Sequence, residues 1–164
     1  MEALLIPLIA FAFATCITPG PNNIMLTASG ANFGFKRSIP HILGITLGLT
    51  TLMAIAAAGL GALFSQFPQL QLFLKIVGSV YILYLAWKIA RISSIESATK
   101  KNKPFTFLEA ALFQFLNPKA LVMAISAMTT FTIAGSGYIS SAAQVILVFA
   151  IICIPAISFW TGFG

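Results

Sequence analysis

The chain has 164 residues, 59% hydrophobic and 7% charged, with a formal net charge of +6. A soluble domain carries roughly 25% charged residues, so a water-soluble globule is excluded; a disordered chain, which needs low hydrophobicity, and a disulfide scaffold, for which two cysteines are too few, are excluded with it. A membrane-spanning helix takes about 20 residues, which leaves room for about five spans with short loops.

Residues 3–35, 38–74 and 120–164 contain no Asp, Glu, Lys or Arg. A charge at the bilayer centre costs about 2.5 to 3.5 kcal/mol, so runs of this length are compatible with lipid. They are continuously apolar rather than alternating, which predicts helices and not barrel strands.

The first span is expected over residues 4–31. No basic residue precedes it, as one would in a cleaved signal, and it is read as retained. In its middle stand Thr18-Pro19-Gly20-Pro21-Asn22-Asn23. Proline removes a backbone donor and clashes with the preceding turn, and glycine permits unusual dihedrals, so this helix is predicted to be broken.

A loop at 33–38 with Lys36 and Arg37 leads to the second span, 39–64, which carries His41 near its start. Gly30 with Gly34, and Gly44 with Gly48, have the spacing that lets helices approach closely. A turn at 65–69 precedes the third span, 70–89, and residues 91–104 form the longest polar stretch. The fourth span, 107–133, has Glu109 near its start and is predicted to be broken at Asn117-Pro118-Lys119, about 15 Å in by helical rise. Gly135-Ser136-Gly137 turns the chain into the fifth span, 139–163.

The predicted fold is therefore an all-α integral membrane protein of five transmembrane helices, with helices 1 and 4 broken, forming a single transmembrane domain over residues 1–164. Residues 1–92 make a first three-helix half, 93–105 a connecting loop, and 106–164 an incomplete second half. With three spans per half the second copy is inverted, an inverted 3+3 repeat. Seven of the nine cations fall in the loops at 33–38 and around 91–104, which places those loops in the cytoplasm. Tyr81, Tyr84 and Trp87 include interface anchors for the third span.

Irregular backbone at the depth of the two breaks must be buried in protein or line a wet cavity. Pro/Gly interruptions in corresponding positions of two halves point to a transporter binding site. There the freed carbonyls and half-helix N-termini offer ligands to a zwitterion, with amide groups from Asn22, Asn23 and Asn117. Lys119, the deepest cation, is expected either to hold a carboxylate or to neutralise a half-helix C-terminus. His41 and Glu109 are candidates for proton coupling, set against the plainer readings of a solvated histidine and an interfacial carboxylate. Cys16 and Cys153 read as small packing residues. No catalytic constellation, metal-ligand spacing or cofactor motif is present, so no enzyme, metal or cofactor is expected. The cations are explained by membrane orientation, and nucleic acid is not an expected partner. Small-molecule substrate, lipid bilayer and protons are; oligomeric state, a homo-oligomer included, is left open.

With these residues in view, the chain resembles the LysE/RhtB family of amino-acid exporters. The matching features are residues 18–23, Gly34-Phe35-Lys36-Arg37-Ser38, Gly44 with Gly48, residues 74–85, and Asn117-Pro118-Lys119-Ala120. Asn22-Asn23 and residues 85–90 are most similar to the branch that includes a cysteine and O-acetylserine exporter. The resemblance implies a proton-coupled secondary transporter, an antiporter exporting small amino acids or derivatives (cysteine, O-acetylserine, homoserine- or threonine-like) across the bacterial inner membrane. Carried over by motif position, Pro19, Gly20, Pro21, Asn22 and Asn23 shape one half of the substrate site, and Asn117, Pro118 and Lys119 the other. Ala110 and Ser38 stand where many members have glycine. Members usually have a sixth span, so the second half is expected to lack its last helix. The alternative reading is a truncated, non-transporting membrane component or assembly subunit.

Overall fold

A computed structural model describes residues 2–66, 69, 103–133 and 135–164. The expected third span at 70–89, its anchors, nearly all of the loop at 91–104, and hence the comparison of the two halves lie outside the described residues. Those described form helices α1 (Glu2–Ile17), α2 (Pro21–Phe33), α3 (Phe35–Gln66), α4 (Phe107–Phe113), α5 (Pro118–Phe131) and α6 (Tyr138–Phe163), with a 3-10 turn at Gly135–Gly137.

Both expected breaks are present: α1 and α2 meet at a bend of 57°, and α4 and α5 at 66°. One cause serves both. In a continuous helix the Ile17 carbonyl would accept from residue 21 and the Gln114 carbonyl from residue 118, but both donors are prolines without an N–H. Each proline instead begins the following helix, where the missing donor is harmless, with Gly20 and Asn117 as the extended N-caps. The second break therefore lies earlier than Pro118. The chain tightens from Gln114 onward through bonds of 3-10 type, Leu116 N to Phe113 O at 3.0 Å and Asn117 N to Gln114 O at 3.3 Å.

The segment α3 contributes at Phe35–Gly59 and the whole of α6 are each long and apolar enough to cross a membrane, with mean hydropathy 1.9 and 2.5. Counting each bent pair as one span gives up to four crossings among the described residues. Leu8, Ile45, Leu49, Met53, Val145 and Phe149 are fully or almost fully buried where α1, α3 and α6 meet. Ile6, Leu47, Ile139, Leu147 and Ile151 are exposed, the apolar exterior that suits lipid.

The expected loop at 33–38 shrinks to one residue. Helix α2 ends at Phe33 and α3 starts at Phe35, so Gly34 alone joins them, at φ +81°, donating its N–H to the Gly30 carbonyl at 2.9 Å. Lys36 and Arg37 are exposed on the first turn of α3 rather than in a loop. Gly34 is therefore a helix cap, and the reading of it as a helix-contact partner of Gly30 is corrected, since a Cβ there would meet nothing within 4 Å. Gly44 and Gly48 do serve close contact. A Cβ on Gly44 would lie 2.3 Å from the Phe107 carbonyl oxygen and one on Gly48 2.4 Å from that of Ala111, so these glycines seat α4 directly on α3.

Candidate functional site

Where α1 stops, its last carbonyls lose their helical donors, and each such group left unpaired in hydrocarbon would cost several kcal/mol. The fold supplies replacements from three directions. Asn23, buried, donates both amide hydrogens back across the break, to the Cys16 carbonyl at 2.9 Å and the Thr18 carbonyl at 2.8 Å. Trp160 Nε1, from α6, donates to the Ile17 carbonyl at 2.9 Å. Lys119 Nζ, from the first turn of α5, donates to the Thr18 carbonyl. The cation thus lies on the C-terminal carbonyls of α1, where the helix dipole is negative.

The two breaks are also joined directly. Asn22 Nδ2 donates to Gln114 Oε1 at 2.8 Å, and Gln114 Nε2 returns a bond to Asn22 Oδ1 at 3.2 Å. Gln114 is fully buried and holds its own helix through the Ala110 carbonyl at 2.9 Å. Asn117, also buried, caps α5 by accepting from the Lys119 backbone N–H at 3.1 Å. Gln114 and Trp160 hold the breaks through hydrogen bonds that sequence reasoning missed. The usable signal for Gln114 was a lone amide in an apolar helix, three residues ahead of a proline-marked break. If the Asn22–Gln114 pair ties the breaks together, a double-mutant cycle of Asn22→Leu and Gln114→Leu should give a coupling of about 0.6 to 2 kcal/mol in unfolding. Additive single effects would show that the pair ties nothing.

Between the breaks lies a cavity of about 20 Å³, room for about one water. Gly20, Asn22, Asn23, Asn117 and Lys119 line it, joined by Thr15, Cys16, Met123 and Cys153, with Ile45 and Leu49 from α3. The structure therefore brings five of the eight expected site residues to one cavity. Of the other three, Pro21 and Pro118 begin α2 and α5, and Pro19 is exposed in the break itself. A Cβ on Gly20 would lie 2.7 Å from Lys119 Cδ, so the glycine makes room for the lysine stem.

The amides expected to face a ligand are in part committed to protein groups: Asn23 to the break, Asn22 to Gln114, Asn117 to its cap. Helix α2 differs at its start, for Gly20 gives it no side-chain cap, and its first N–H groups have no partner within the helix. The start of α2, at Gly20, Asn22 and Asn23, lines the same cavity as Lys119.

His41 and Glu109 are not among the cavity lining. His41 is fully buried rather than solvated; its ring stacks on Phe105 at 5.1 Å between centroids, and neither ring nitrogen has a hydrogen-bond partner. Glu109 closes a capping box at the start of α4, accepting from Thr106 N at 2.9 Å and Thr106 Oγ1 at 3.0 Å, and it lies within electrostatic reach of His41. Cys16 and Cys153 are buried in the core, and both line the cavity.

A family model described as LysE type translocator matches residues 13–163. Among curated proteins the chain is similar to cysteine/O-acetylserine efflux proteins. It is 34% identical to that of Klebsiella pneumoniae over 125 residues, 76% of this chain and 63% of the relative. It is 35% identical to that of Salmonella typhimurium and 32% to one from Escherichia coli, over 75% of this chain and 63% of the relative in each case. The chain thus spans a little under two thirds of the length of these relatives. No solved structure matches.

Proposed function

Because the chain belongs to the LysE type translocator family, we propose that it is a secondary transporter exporting small amino acids or their derivatives, cysteine and O-acetylserine among them, across a bacterial inner membrane. The observation that carries this reading is the cavity between two broken helices, with a lysine ammonium on the carbonyl end of one half-helix and the uncapped start of another half-helix among its lining.

A zwitterion has the complementary pair of charges. Its ammonium replaces Lys119 on the Thr18 carbonyl. The released Lys119 ammonium and the N–H groups at the start of α2 then take the carboxylate, as a helix N-terminus favours an anion. At about 20 Å³ the cavity holds water and not an amino acid, so loading requires the helices to part. In this reading the empty carrier is held shut by its own lysine and opened by a substrate that substitutes for it.

Proton coupling is assigned to His41 and Glu109, supported by a buried imidazole without a hydrogen-bond partner near a carboxylate. The positive stretches at 33–38 and 91–104 are assigned to the cytoplasmic face. Inverted membrane vesicles carrying the chain should accumulate radiolabelled cysteine or O-acetylserine when acidified inside, and lose that uptake when the proton gradient is collapsed. Uptake no greater than in vesicles without the chain would overturn the export reading and favour a non-transporting membrane component. Uptake insensitive to the gradient would remove the proton-coupling role.

A further inference from the structure

Three asparagines line the cavity, and their amides are not used alike. Asn23 commits both hydrogens to the Cys16 and Thr18 carbonyls. Asn22 gives one hydrogen to Gln114 Oε1 and accepts one in return. Asn117 accepts at Oδ1 from the Lys119 backbone N–H at 3.1 Å, and that bond fixes which way its amide is turned. Its Nδ2 donates to no group among the described residues.

Asn117 is 1% exposed, so this nitrogen is a buried donor without a partner, which burial penalises. Among the described residues, the side-chain atoms fully enclosed without a partner are the two ring nitrogens of His41. The Asn117 nitrogen is therefore open to the cavity that its residue lines. Capping does not ask for it, because Ser, Thr or Asp supplies the accepting oxygen as well. What asparagine adds at this N-cap is the pair of free hydrogens.

We propose that Asn117 Nδ2 is the side-chain subsite of the carrier, donating to a carbonyl oxygen on the substrate's own side chain, an ester or an amide. This rests on the export reading, in which the Lys119 ammonium, the Thr18 carbonyl and the start of α2 hold the substrate's carboxylate and ammonium. Those groups meet at the first break, whereas Asn117 closes the second break and begins α5. A substrate held at the first break by the groups on its α-carbon extends its side chain toward the second.

Charge narrows the class. Apart from the two thiols, Lys119 is the one ionisable group in the lining. With its ammonium on the α-carboxylate, no cation is left for an acidic side chain, and no carboxylate is there for a basic one. Ile45, Leu49, Ala120 and Met123 make the lining from α3 and α5 otherwise apolar. A neutral side chain carrying an acceptor fits what remains, and a carbonyl oxygen, with two lone pairs, accepts what Nδ2 offers.

O-Acetylserine and O-ethylserine test this, since the second has a methylene where the first has its carbonyl. Titrated calorimetrically into the purified full chain in detergent, at a mildly acidic pH that keeps the ester in place, the acetyl compound should bind about tenfold more tightly, the effect of one hydrogen bond. Asn117→Ser keeps the cap oxygen and deletes the donor. Asn117→Asp keeps the cap and the shape and turns the donor into an acceptor. Both should unfold near the wild-type temperature, because both residues cap helices as well as asparagine does, and both should bring the two affinities within about twofold or reverse their order. A role in capping alone requires both variants to keep the wild-type preference, and a role in holding the α-carboxylate requires an equal loss for both compounds. Either result would overturn the proposal, as would equal affinities in the wild type. Those results leave binding, and with it the export reading, in place, whereas a wild-type chain that binds neither compound would remove both.

Discussion

Lys119→Met should reduce cysteine or O-acetylserine uptake into inverted vesicles by about tenfold or more while leaving the unfolding temperature of the purified chain near that of the wild type. Methionine keeps most of the stem that packs over Gly20 and deletes the ammonium that meets the Thr18 carbonyl. A hydrogen bond to a charged group contributes about 1.5 to 3 kcal/mol, and each 1.4 kcal/mol is about tenfold, so losing the carboxylate partner at the loading step has an effect of that size. The Thr18 carbonyl is not orphaned by the change, because Asn23 still donates to it at 2.8 Å, and stability is therefore little altered. Lys119→Arg should also fail. The planar guanidinium is larger than the ammonium it replaces and does not present the same compact point charge to the Thr18 carbonyl. Gly20→Ala should give a partial loss, since its Cβ would meet Lys119 Cδ at 2.7 Å and push the stem aside. Wild-type uptake by Lys119→Met would overturn the exchange of lysine for substrate.

The existence of the two breaks was legible because proline and glycine act on their own backbone, within a turn of where they stand. Their detailed placement was less so. Pro118 marks the start of α5, and the irregular turn falls before it, from Gln114 to Asn117. Charge proved a guide to surface and not to helix ends. Lys36 and Arg37 suggested a loop, whereas Gly34 joins the two helices in one residue and the cations sit on helix.

What the sequence could not carry were pairings made by the tertiary fold. Asn22 meets Gln114 across 92 residues and Trp160 meets Ile17 across 143, while periodicity reports only which face of a helix is apolar. Cys16 and Cys153 read as small apolar side chains until the cavity that both line is known. His41 shows the limit from the other side, for a polar residue near a span's start reads as solvated until the helices that enclose it are placed.

Gly30→Ala should be among the most destabilising single changes in the described residues, costing at least about 1 to 3 kcal/mol, the usual range for overpacking a tight contact. A Cβ at Gly30 would lie 2.0 Å from the Thr161 carbonyl oxygen and 2.9 Å from its carbon. The obstacle is backbone, so no side-chain rotation relieves it, and α2 and α6 must separate until the contact is ordinary. Helix α6 carries Trp160 in the adjacent position, and a retreat there draws its indole from the Ile17 carbonyl. The same movement thus loosens the contact of α2 with α6 and exposes the end of α1, coupling a packing defect to the site. Gly162→Ala supplies the control on the same helix, because nothing lies within 4 Å of its Cβ position. There the change should be neutral or stabilising by up to about 1 kcal/mol, the difference in helix propensity. Thermal unfolding of both variants in detergent, with the folded fraction followed by size-exclusion chromatography, reads the contrast. Similar unfolding temperatures for the two would mean that the approach of α2 to α6 is not the contact that holds the first break in place.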